Sequence, residues 1–123
     1  MKNVSSLLAG ALLLVSVAPA AMAAAKTVTV KGTLIDMKCY SAAGVTSRKH
    51  GMTCGKACLS SGIPAGILVG KKAWTLATPS APLANYVGLK IKAVGTPDAA
   101  DHVFIPTKIY YWDHKMGMWM IVK

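Results

Sequence analysis

Apolar and polar residues alternate through most of the chain beyond its first 25 positions, and the alternation predicts strands. Thr27 to Asp36 (TVTVKGTLID) is β-rich, with Val28, Val30 and Leu34 on one face and Gly32 at a bulge or sharp bend. Ala65 to Gly70 and Ala73 to Thr78 predict two strands joined by a hairpin turn at Gly70-Lys71-Lys72. Ser80 to Val87 reads as a short helix, with Ser80 as N-cap and Pro82 in the first turn. Gly88 to Gly95 alternates cleanly, and Thr96 to Asp101 reads as a turn. Val103 to Trp112 and Met116 to Val122 predict the last two strands, around Asp113-His114-Lys115. Short strands, glycine-marked bends and a short helix before the fourth strand predict a mainly β fold, a small OB-like Greek-key barrel. A small β-sandwich is the alternative packing of the same strands.

The first segment obeys a different rule. Lys2 is followed by an apolar run, Leu7 to Ala18, and then by the small residues Ala21-Met22-Ala23. This is the pattern of a signal peptide, 1–23, with cleavage expected after Ala23 and Ala18-Pro19-Ala20 as the second choice. The run is short for a bilayer span, so no transmembrane anchor is expected after cleavage. No cysteine follows it to accept a lipid. The expected product is one domain, 24–123, in the periplasm of a bacterium or secreted from it.

Charge narrows the chemistry. Among 123 residues there are 14 Lys+Arg and 4 Asp+Glu, for a net charge of +10. The acids are Asp36, Asp98, Asp101 and Asp113, with no glutamate. Paired-carboxylate hydrolysis and a carboxylate-rich calcium site are therefore poor fits. A basic balance ordinarily points to nucleic acid, but export removes that partner. An envelope protein, an anionic surface, or plain solubility is left to account for it. The lysines run from Lys26 to Lys123 without a dense cluster, as on a solvated basic surface.

Residues 41–62 break the β pattern and carry much of the chain's reactive chemistry. Cys39, His50, Cys54 and Cys58 fall within 20 positions. His50, Cys54 and Cys58 are spaced i, i+4, i+8, which places them along one helix face. Ser47 suits the N-cap, and Gly62 with Pro64 suits the stop. Gly51 and Gly55 oppose the helix by about 1 kcal/mol each, and Arg48 and Lys49 lie at the unfavourable end of its dipole. Such a helix needs support from outside. Two chemistries offer it. One is a disulfide from Cys39 to Cys54 or Cys58, leaving one thiol over. The other is a metal ion: three cysteines and a histidine suit Zn²⁺ or Cu(I). A disulfide between Cys54 and Cys58 is disfavoured, because both Cβ vectors point the same way on a helix. No c-type haem motif and no nucleotide fingerprint occurs.

A second metal candidate is His114 with Met116, Met118 and Met120, since thioethers in a row suit Cu(I). Met116, Met118, Met120 and Val122 also make an ordinary inward face of a barrel strand, which is the preferred reading. A Cys–His nucleophile pair drawn from His50 with Cys54 or Cys58 lacks any mark of an oxyanion hole, so no enzyme is expected. A thiol redox role stays open.

Gly32-x3-Asp36-x2-Cys39-Tyr40, His50-x3-Cys54-x3-Cys58 and Gly62-Ile63-Pro64-Ala65-Gly66-Ile67-Leu68 together resemble the pattern of a group of small exported bacterial proteins. Gly55 departs from that group's alanine, and Gly88 to Gly95 is similar to its alternating strand. The resemblance implies an OB-like fold and joint importance of Cys39, His50, Cys54 and Cys58; it implies no activity. The expected function is an exported metal-binding module, structural or metal-carrying. The alternative is a disulfide-stapled, basic interaction or stress module with one free thiol and no metal.

Overall fold

Strand β1 (Val28–Asp36) serves two neighbours, and that sharing lets the sheet curl. Its first part, Val28 to Thr33, pairs antiparallel with β4 (Lys90–Asp98). Its last part, Thr33 to Asp36, pairs antiparallel with β2 (Ala65–Val69). The change of partner falls at Thr33, next to Gly32, where a Cβ would collide with the Leu68 carbonyl. Gly32 is thus the sharp bend its position predicted, and its missing side chain lets the two strands cross closely.

The computed structural model describes residues 25–123. The expected signal peptide, 1–23, lies outside the described residues. Strand β2 turns through Gly70-Lys71 into β3 (Lys72–Leu76), and β4 leads into β5 (Val103–Asp113). Two parallel pairs, Thr75 with Val103 and Leu76 with Phe104, join β3 to β5 and close the ring. The closed barrel has five strands in the order β1-β2-β3-β5-β4. This is the OB-like arrangement, and closure removes the open edges that a flat sheet would leave exposed. Strand β6 (Met118–Ile121) pairs only with β5 and lies outside the ring.

The core explains the alternation. Leu34, Ile67, Leu76, Ile91, Ala93 and Phe104 fill the interior, and Val28 and Val30 pack against them. Leu59 and Leu83 enter from the helices and plug the barrel from outside the sheet. Alternation fails at the end of β1, where Leu34, Ile35 and Asp36 are all buried. A helical insertion covers the face that would otherwise meet solvent.

Some expected boundaries move. Strand β4 runs on to Asp98, past a bulge at Val94/Gly95, so the following turn is shorter than the sequence suggests. The short helix is a 3-10 helix, Ala81–Tyr86, with its proline in the first turn. Ser80 precedes it without capping it. Its hydroxyl instead donates to the Leu59 carbonyl at 3.1 Å, tying this helix to the insertion.

Candidate metal centre

The insertion between β1 and β2 contains two helices. Helix α1 (Met37–Ala43) follows β1 directly. Asp36 caps it, accepting from the Cys39 N–H at 2.7 Å, and Gly44 ends it in the left-handed conformation. Helix α2 runs without a break through Arg48–His50, Gly51–Gly55 and Lys56–Ser60. Ser47 caps it, accepting from the His50 N–H at 3.2 Å, and Gly62 follows its end at φ 93°. Both ends agree with the sequence reading. Helix α1 was not expected, although Asp36 and Gly44 bracket it.

The middle of α2, Gly51–Gly55, is a π turn, with i→i+5 bonding such as Lys56 N–H to the Gly51 carbonyl. Successive four-residue steps on an α-helix overshoot one turn by about 40°. The wider π turn takes more residues per turn and offsets that drift. His50, Cys54 and Cys58 therefore stay toward one side. The two glycines have a packing reason. A Cβ on Gly51 would strike the Val87 carbonyl, and one on Gly55 would lie 2.7 Å from a Val87 methyl. Both glycines are buried where the helix lies on the loop at Val87. Arg48 donates to the Val87 carbonyl at 2.8 Å, so this cation docks the helix despite its place on the dipole.

This docking brings α2 over the end of β1. Cys39 Sγ and Cys54 Sγ lie 3.9 Å apart. His50 Nε2 and Asp36 Oδ2 are 2.8 Å apart. Ligand atoms of Cys39, His50 and Cys54 lie within 4.8 Å of one another, as do those of Asp36, Cys39 and Cys58. Cys39 belongs to both sets. The structure thus gathers all four sequence-predicted residues and adds Asp36, which the sequence reading left out of the site. Its spacing D-x-x-C, with an acid placed to cap a helix that begins at the cysteine, was the available signal.

The site is graded from wet to dry. Cys54 is exposed, Cys39 and Cys58 are half-buried, and the Asp36 carboxylate is wholly buried. All three cysteines are free thiols. Burial works to raise the Asp36 pKa, but hydrogen bonds from the Cys39 N–H and from His50 outweigh it and hold the carboxyl below its usual value. Cys39 is pushed up to about 12 by burial, by the neighbouring Cys54 thiol and by Asp36. Cys58 is raised by burial, then by Cys54 and Asp36. These two thiols are thus protonated at neutral pH, and an incoming cation must displace their protons.

The donor set can hold a metal ion. Two thiolates on one tetrahedral zinc, with bonds of about 2.3 Å, lie roughly 3.8 Å apart. The Cys39–Cys54 separation of 3.9 Å matches that edge. The Asp36–His50 pair has the form of an outer carboxylate that fixes a ligating imidazole.

The second candidate set is not assembled as a strand row. Met116 lies in the turn before β6, and β6 begins at Met118. Met116 and Met118 are exposed, Met120 is half-buried, and His114 is exposed in the turn. The methionines therefore do not form an inward barrel face either, because β6 lies beyond the closed ring. His102 sits in the β4–β5 turn with its ring 5.5 Å from that of Trp74.

No protein-family model matches the chain, nor does any curated protein or solved structure.

Proposed function

We propose that the protein is an exported metal-binding module that holds one Zn²⁺ or Cu(I) ion at the junction of β1 and α2. Cys39, Cys54 and His50 hold the ion, Cys58 lies within reach through Cys39, and Asp36 orients His50. The observation that carries this reading is the pair of sulfurs 3.9 Å apart beside an imidazole fixed by a buried carboxylate. The imidazole and carboxylate favour Zn²⁺; the thiols alone would serve Cu(I). Cys54 leaves one side of the site open to solvent. That suits an ion that is exchanged or carried, while the tether from β1 to α2 also stabilises the insertion.

The same sulfur pair supports a second reading. Exchange of Cys39 and Cys54 with an external disulfide, which is reduced to two thiols, gives a staple and leaves Cys58 as the free thiol, in a basic interaction module that binds no metal.

Native mass spectrometry before and after thiol alkylation separates the two. The metal module predicts a mass excess of one Zn or Cu, with three alkylated cysteines only after chelation. It also predicts lower occupancy in His50→Ala. A two-hydrogen deficit, one alkylated thiol and no metal would establish the staple and overturn the metal reading.

A further inference from the structure

The outer face of the barrel across β1, β4 and β5, continued on β6, departs from the ordinary polar surface of a strand. Lys31 on β1 is level with Lys92 on β4, Lys92 with Tyr110 on β5, and Tyr110 with Ile121 on β6. This is one cross-strand row over four strands. Two residues toward the β5–β6 turn, Trp112 and Trp119 face each other edge to face at 5.3 Å. The Lys92 ammonium lies 4.5 Å from the Tyr110 ring centre and 5.1 Å from that of Trp119, and Lys31 lies 5.9 Å from Trp119. Beyond the tryptophans comes the turn, 114–117, with the exposed Met116, while Met118, level with Asp113, lies on the opposite face of the hairpin.

Five large hydrophobic residues are exposed among the described residues, and three of them, Met116, Met118 and Ile121, belong to this hairpin. None of the row's positions is an acid. Asp98 and Asp101 lie at the far end of β5, and Asp36 is buried in the thiol site. Asp113 turns back to accept from the N–H groups of Lys115 and Met116. The face therefore sets paired aromatic rings and Ile121 beside uncompensated lysines, with Met116 at the turn.

We propose that the β5–β6 hairpin is a membrane-interface anchor that seats the barrel on an anionic phospholipid surface. Tryptophan and tyrosine favour the headgroup level, where one part of the ring is wet and the rest apolar. Ile121, beside Tyr110, adds an apolar side chain to the same face, and the exposed Met116 lies at the turn. Lysines behind the rings meet the lipid phosphates. Two other occupants fit less well. A nucleic-acid base stacked on Tyr110 or Trp119 would have to displace the Lys92 ammonium from the rings. A second copy of the chain would bring one basic face against another.

The test uses the full chain, vesicles of phosphatidylglycerol with phosphatidylcholine, and acyl-brominated lipids that quench tryptophan. Residues 1–24 contain no tryptophan, so the signal is blind to that apolar segment. The expected result is a blue shift and quenching with anionic vesicles, weakening as salt rises. Lys92→Gln lowers the partition coefficient about fivefold. Met116→Ser with Ile121→Ser abolishes the quenching, and both positions are exposed enough to leave the fold intact. Equal quenching by pure phosphatidylcholine would overturn the proposal. So would vesicle binding without quenching, which would assign it to the N-terminal segment. Binding to a single-stranded oligonucleotide or an anionic polysaccharide, with none to vesicles, would overturn it in favour of a polymer.

Discussion

The Asp36 carboxylate, out of contact with water, accepts from the Cys39 backbone and pairs with the His50 ring. One residue thereby ends β1, starts α1 and fixes the imidazole. Its pKa lies lower in the folded protein than in the unfolded chain. The unfolded state therefore binds more protons in the window between the two values, and stability rises with pH there. The contribution is complete above about pH 4 and is lost as pH falls through the folded value. Asp36→Asn should lower stability at pH 7 by about 1.5–3 kcal/mol, the usual worth of hydrogen bonds to a charged group. The variant should also lack this acid limb. Urea midpoints measured from pH 7 down to pH 3 check both expectations; parallel curves for the two proteins would contradict them. Sequence spacing identified His50, Cys54 and Cys58 because side chains on one helix face repeat visibly, and Cys39 because it lies within 20 positions of them. It passed over Asp36 because a residue ending a strand and capping a helix reads locally as an ordinary boundary.

At the scale of elements, α2 depends on the absence of side chains at Gly51 and Gly55. Helix propensity alone would make Gly51→Ala stabilising by about 1 kcal/mol. The Val87 carbonyl lies where the new methyl group would go, and backbone yields less readily than a side chain. Overpacking of this kind costs about 1–3 kcal/mol, so the net change should be a loss. Thermal unfolding of Gly51→Ala should occur several degrees lower, at about 4–8 °C per kcal/mol for a domain of this size. A higher Tm would show that the loop retreats without cost. The π turn was not legible in the sequence. Glycine at both ends of Gly51–Gly55 reads as a weak helix, and its reason lies in Val87, far along the chain. Ser47 and Gly62 were legible, since capping chemistry is local. The methionine row failed for a related reason. Period-2 alternation assigns residues to faces but does not say which side of β6 meets a core, and β6 meets little of one.

For the whole molecule, closure rests on the two β3–β5 pairs, with Phe104 buried at the join. Phe104→Ala should cost about 3–5 kcal/mol. Met118→Ser, on the strand outside the ring, should change stability by no more than about 0.5 kcal/mol. Chemical denaturation compares them directly, and similar losses would mean that β6 belongs to the core after all. The barrel itself was legible, because the strands largely alternate and Gly32 marks the bend beside which β1 changes partner. The β3–β5 contact was not written in either strand, since it follows from how far the sheet has curled.

Residues made late in the chain hold residues made early. The cysteines emerge from the ribosome before Val87, which receives α2, and before β5, which closes the ring. Barrels assembled from such distant pairings fold in roughly milliseconds to seconds. During that interval the three thiols have no fixed neighbours. On the proposed function, an oxidant or a cation that met the chain in that interval would act on them before the geometry exists, so order of arrival would weigh beside affinity.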